Sequence, residues 1–325
     1  MIPSRSLVIP GLRERPFHRW RTDVAGAVSV VVGQPYLWLL GALGVAMRGG
    51  IVLLALPIVV LPTQVEVRLA LGSNLGSTGL TPGFWTLVGI GTVASAALAL
   101  VVLYALARIE LAAFKGLMAG EPTTQLRGRA LMGRLFVIEA LTLLALAVAA
   151  MPLAAAVGQV TLDEILRPSA GGSIYQRVFG QVGQPLVLFV GALMVVDALA
   201  ALATRRLLMP GRRAEDGAAR RASIRAALAY ALAQPLLSPL RTIGTAALGW
   251  LATFAAVGVA WVGLGLAWRA ARAAFLSVTS IFDIQQIVFP LLVALLLAAA
   301  FAAGWLLAGI ASAFRAALWS IQFKR

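Results

Sequence analysis

The chain has 325 residues, 61% of them hydrophobic and 12% charged, with a mean hydropathy of +0.92 and a formal charge of +15. Soluble domains carry about 45–50% apolar residues, so this composition excludes an ordinary water-soluble globule. The complete lack of cysteine excludes disulfides, thiolate metal sites and cysteine nucleophiles.

The first twenty or so residues form a polar arm with Arg5, Arg13, Arg15, Arg19 and Arg21. The apolar run that follows is interrupted by Gln34 and Pro35, so no cleavable leader is expected and the first span should remain in the mature chain. Six stretches then approach or exceed the roughly 20 apolar residues needed to cross a hydrocarbon core. They are Tyr36 to Leu61, Phe84 to Ala107, Leu135 to Ala156, Leu186 to Ala203, Leu240 to Ala267 and Val288 to Ile310. A span in lipid must satisfy its own backbone hydrogen bonds, and these runs lack the polar alternation of barrel strands, so helices are expected. The fold class read here is all-α: a polytopic integral membrane bundle of six transmembrane helices forming one membrane unit. Its parts are a basic arm (1–34), spans one to three (35–160), an outer loop (161–185), spans four to six (186–311) and a tail (312–325).

Basic residues collect in alternate gaps. The second gap has Arg108, Lys115, Arg127, Arg129 and Arg134; the fourth has Arg205, Arg206, Arg212, Arg213, Arg220, Arg221, Arg225 and Arg241; the tail has Arg315, Lys324 and Arg325. The opposite gaps hold only Arg68, Arg167, Arg177, Arg269 and Arg272. Lys and Arg resist translocation, so both termini are expected in the cytoplasm and the protein in the cell's inner membrane. Trp85 and Trp268 would mark the outer boundary, and Tyr36, Trp38, Tyr104 and Trp319 the inner one. Charge placed around spans, with no soluble module to carry it, argues against nucleic acid as the partner.

Two segments on the basic side read as amphipathic helices lying in the membrane surface, Gln125 to Leu135 and Arg220 to Ala233. In the second, Ile224, Leu228 and Leu232 form an apolar stripe between charged edges. The outer loop 158–183 is expected to hold a short surface helix of its own. Arg205, Arg206, Arg212, Arg213, Arg220, Arg221 and Arg225 then form a surface for anionic lipid headgroups or for a cytoplasmic protein partner. Small residues four apart (Gly91, Ser95, Ala99; Thr245, Gly249, Thr253; Ala300, Gly304, Ala308, Ser312) read as packing faces within the bundle or in a homodimer.

Gly33-Gln34-Pro35 recurs as Gly183-Gln184-Pro185, three spans later, which suggests an inverted 3+3 repeat. Ala233-Gln234-Pro235 is a third copy whose spacing suggests a parallel relation instead.

Arg48, Glu139 and Asp197 lie within the spans, where an uncompensated charge costs about 2.5–3.5 kcal/mol and a partner or water is expected. Counting residues from the basic side brings Arg48 and Asp197 within reach of each other, with Glu139 as an acidic neighbour. Such a cluster serves as a gate, a proton relay or an anion site, or else as a static bridge that fixes helix register, and Glu139 has Arg134 as an alternative partner. A break at Met47-Arg48-Gly49-Gly50 is a competing reading, with Asp23 to Met47 spanning, 51–61 re-entrant and Arg48 at the outer surface. Pro57 and the paired glycines favour a kinked or unwound first span. No GxSxG, HExxH or GxxxxGK[ST] motif occurs and the one histidine, His18, sits in the basic arm, so neither enzyme chemistry nor a bound cofactor or metal is expected. The expected function is that of a transporter-like or permease-like subunit for a small solute or lipid. The alternative is a membrane anchor that holds partners and anionic lipid through its arginine-rich loops.

Overall fold

The computed structural model describes residues 16–58, 75–76, 79–117, 129–166, 174–209, 223–277 and 284–324. They form nine α-helices among the described residues: α1 Pro16–Gly33, α2 Tyr36–Met47, α3 Gly50–Ala55, α4 Pro82–Leu117, α5 Arg129–Leu166, α6 Ile174–Leu208, α7 Ile224–Leu237, α8 Pro239–Leu276 and α9 Ile284–Lys324. A 3-10 turn, Leu56–Ile58, follows α3, and Leu75–Gly76 pairs antiparallel with Gly79–Leu80 before α4.

Five helices are long and apolar enough to cross a membrane, and the tally rises to six if α1 and α2 together make one bent span. All five contain a predicted apolar stretch, but each runs well beyond it. With 35 to 41 residues apiece, α4, α5, α6, α8 and α9 measure roughly 52 to 62 Å at about 1.5 Å per residue. The hydrocarbon core is about 30 Å thick, so ten or more residues of each helix remain for the boundary layers. Segments read from sequence as loops are therefore helical. Arg129 to Leu135 is the first turns of α5 and no separate surface helix; 125–128 lie outside the described residues. The flanks of the outer loop are the ends of α5 and α6, and the predicted tail is the last three turns of α9.

The predicted first span is not one helix. Just ahead of it the chain turns by 98° between α1 and α2 at Gln34-Pro35, and within it the helix breaks at Arg48-Gly49, where Gly49 adopts φ 80°, a left-handed conformation suited to glycine. At Gly50 a Cβ would collide with Val45, so the break needs both glycines. Prolines at 35 and 57 deprive the carbonyls of Val31 and Leu53 of the N–H donor four residues on, leaving each the bond from the residue three on, Gln34 and Leu56. Two indoles supply the missing bonds: Trp38 Nε1 donates to Val31 O at 2.7 Å, and Trp261 Nε1 of α8 donates to Leu53 O at 2.9 Å. Both carbonyls are thereby satisfied within the protein itself, which explains tryptophan at these places.

α9 is the central post, packed against α8, α2, α1 and α6. Its contact with α2 is backbone to backbone, since a Cβ on Gly41 or on Gly309 would overlap the other helix's main chain. Trp305 Nε1 crosses the same seam to Ala42 O at 2.7 Å. Gly304 lies against Ala260, and buried Thr245 bonds Gln322 across the α8/α9 seam, so two of the three small-residue stripes are packing faces. In the third, Gly91 and Ser95 are exposed along α4, which leaves the homodimer face as the reading of that stripe.

The largest apolar core gathers Phe114, Leu135, Ile138, Leu208, Ala227 and Trp319, from five helices, at one end of the bundle. This end also carries Lys115, Arg205, Arg206 and Arg315, and is called the basic end below. The other halves of α4, α5 and α6 carry exposed apolar side chains, with Val93 and Val187 each 71% exposed, a surface suited to lipid and not to water. α7 begins at an N-cap, Ser223, whose hydroxyl accepts from Ala226 N. It buries Ala227 and Ala231, and of the expected stripe Leu228 packs against the core while Leu232 is exposed. Of the repeated motifs, Gln34-Pro35 and Gln234-Pro235 lie at or next to helix breaks, whereas Gln184-Pro185 is inside the unbroken α6. The two copies of the suggested inverted repeat thus differ in backbone conformation.

Candidate functional site

Within the basic half of the bundle is a cavity of about 210 Å³ bounded by α2, α4, α5, α6 and α9. Six ionisable side chains line it: Arg48, Glu110, Glu139, Asp197, Arg205 and Arg315. Helix periodicity delivers them. Leu103, Leu106 and Glu110 share a face of α4; Asp197, Ala201 and Arg205 are four apart on α6; Ser312, Arg315 and Trp319 follow one stripe of α9. Arg48 arrives from the break after α2, which directs its side chain across the bundle.

The ion pairs differ from the expected ones. Arg48 Nη2 lies 3.1 Å from Glu110 Oε1 and 3.1 Å from Glu139 Oε1, so two carboxylates share one guanidinium nitrogen. Asp197, expected to pair with Arg48, is bound instead by Arg315 Nη1 at 3.1 Å, and the guanidinium of Arg315 also stacks over Trp250. The expectation failed because Arg315 was assigned to the tail when it is on α9 and lines the cavity. Glu139 meets Arg48, not Arg134. The break at Arg48-Gly49 matches the competing reading of the first span, but Arg48 faces the interior and not the outer end.

Arg205 also departs from its reading as a lipid-facing or partner-facing residue. It is 3% exposed, with Nη1 3.5 Å from Glu110 Oε2, Nη2 donating to Ala316 O at 3.3 Å and the guanidinium over the Phe114 ring. Glu110 therefore links Arg48 to Arg205, and four charged groups form one network with the Asp197–Arg315 pair beside it. Arg206 stacks on Tyr230 and Arg225 is exposed on α7. Arg212, Arg213, Arg220 and Arg221 lie outside the described residues.

Three arginines face three carboxylates, so the set is formally neutral. Arg48 is the most accessible member, with 35% of its side chain open, and its Nη1 and Nε have no protein partner among the described residues. The rest of the wall is apolar, Leu103, Leu106, Leu143, Leu146 and Leu193, with Thr142 and Ser312 as small polar groups. The arrangement offers an acceptor-bearing ligand free guanidinium donors over a leucine-lined surface. No group of three or more His, Asp or Glu suited to a metal occurs among the described residues.

Fold and site define an all-helical chain with five or six apolar helices of membrane-spanning length around a charged internal cavity. No protein-family model, curated protein or solved structure matches it.

Proposed function

We propose that the chain is a multi-pass protein of the cell's inner membrane, with both termini and the basic end in the cytoplasm, and that it acts as a transporter-like or permease-like subunit for a small solute or lipid held in the charged cavity. The observation that carries this reading is the cavity itself: six ionisable side chains, from four helices and the break after α2, surround open space where the helices are otherwise apolar. Charges inside a membrane usually mark a pathway or a binding site. A merely structural ion-pair cluster has no need of an opening next to Arg48.

Charge balance narrows the ligand. An ion with net charge would leave this neutral set uncompensated in a low-dielectric interior, at a cost of several kcal/mol. An uncharged or zwitterionic molecule with a hydrogen-bond acceptor for Arg48 and an apolar part for the leucine wall fits without that cost.

The lack of native cysteine makes the test direct. Ser312→Cys places a unique thiol on the cavity wall. In sealed vesicles a membrane-impermeant methanethiosulfonate should label it from at least one face, and a bound substrate should slow the reaction. A thiol unreactive from both faces in folded protein would mean a sealed ionic core, and the transport reading would fall.

A further inference from the structure

A second cavity, of about 230 Å³, lies at the basic end among the end of α6, α7, the first turn of α8 and the end of α9. Its polar lining comes from Tyr230, Gln234, Arg241, Thr242 and Gln322, of which Thr242 and Gln322 are buried. Trp319 is a wall of both cavities.

The electrostatics of the two spaces are opposite in kind. The central cavity matches every arginine with a carboxylate, whereas no acidic residue lines the second one. Arg241 has no ion pair or side-chain hydrogen bond among the described residues. Arg206 stacks its guanidinium over Tyr230 at 5.4 Å and likewise meets no carboxylate among them. Burial drives the Tyr230 phenol above its ordinary pKa, against the pull of these two cations, so the phenol stays protonated at neutral pH and can donate. One guanidinium, a phenol and buried polar groups surround the open space, a second guanidinium stands against the phenol ring, and no carboxylate among the described residues answers them.

We propose that this recess is a binding site for an oxyanion, a phosphate or carboxylate group, with Arg241 as its principal ligand and Arg206 completing the charge. Guanidinium suits this chemistry because its planar fork presents paired N–H donors to two oxygens. The oxyanion has two sources, a lipid headgroup or a free anion. A lipid is the source close at hand, since Leu232, Leu236 and Leu237 of α7 project exposed apolar side chains near the recess. The proposal does not depend on transport through the central cavity.

Native mass spectrometry of the purified full chain, extracted from mixed phosphatidylglycerol and phosphatidylcholine, distinguishes the sources when paired with thermal unfolding in lipid-free detergent with and without inorganic phosphate. A headgroup site retains phosphatidylglycerol in preference to phosphatidylcholine, and Arg241→Gln reduces that retention about fivefold, the effect of one basic contact at a membrane surface. A free-anion site instead shows phosphate raising the unfolding temperature of the native chain but not of Arg241→Gln. Arg108→Gln, on the exposed surface of α4, should leave both readouts unchanged. Should Arg241→Gln fail to fold, Arg206→Gln takes its place and the same loss is required. Equal retention and equal phosphate response in native and variant chains, or an equal loss in Arg108→Gln, would overturn the proposal, the latter by reducing the recess to diffuse surface attraction.

Discussion

Arg48→Gln is expected to destabilise the chain by about 3 kcal/mol, the low end for breaking a buried ion pair because a third of the arginine side chain remains open. The loss should come from Glu139 more than from Glu110. Glu110 keeps Arg205, whereas Glu139 is 8% exposed and Arg48 is its one ion-pair partner among the described residues. A buried carboxylate stripped of its counter-charge carries the whole desolvation penalty. Adding Glu139→Gln to the same chain should therefore recover most of the stability, a strong coupling that a double-mutant cycle by thermal unfolding in detergent will measure. The double variant also separates structure from function. If the cluster only fixes helix register, restoring stability restores whatever the protein does. If Arg48 contacts a ligand, the double variant folds and yet loses substrate protection of a thiol at Ser312.

Trp319→Ala should have the largest effect on accessibility. The indole is 4% exposed and separates the central cavity from the recess. Its Nε1 is buried without an acceptor, as befits a side chain held by shape and not by a bond. Truncation removes the partition and costs about 3–5 kcal/mol of packing. In the Ser312→Cys background, labelling from the basic-end face should accelerate about tenfold, as expected of a thiol moved from a closed wall to a water-filled passage. Trp319→Phe keeps an aromatic plug and should label near the parental rate. Unchanged labelling in a folded Trp319→Ala chain would mean that the two spaces do not communicate.

The five long helices were legible because hydrophobic length is a strong signal: every apolar window from Phe84 to Ala107 onward lies inside one of them. Their ends were not. An apolar window stops where charge begins, but an α-helix does not, and the difference decided the site. Glu110 is three residues past its window, Arg205 two and Arg315 five; Arg205 and Arg315 were assigned to a gap and the tail and Glu110 was not singled out, although all three line the cavity. Helical spacing held part of the missing information, since Asp197, Ala201 and Arg205 occupy one face of a continuous helix. For the first span, composition showed a greasy run and the glycines and prolines showed a break. What no local pattern could show is that Trp38 and Trp261 satisfy the carbonyls deprived of a donor by Pro35 and Pro57, because Trp261 comes from 204 residues further along the chain than Pro57. Arg48, Glu139 and Asp197 were found because a charge within an apolar window stands out, but pairing among them depends on helix rotation, which sequence depth alone does not give.

Everything proposed for the cavity depends on these helices crossing the bilayer with the basic end inside. Ala226, exposed on α7, and Ser277, exposed at the end of α8, lie at opposite ends of the bundle and are suited to single cysteines in the cysteine-free chain. In intact cells a membrane-impermeant maleimide should label Ser277→Cys at once and Ala226→Cys only after permeabilisation. Labelling of Ala226→Cys in intact cells, with Ser277→Cys protected, would contradict the account.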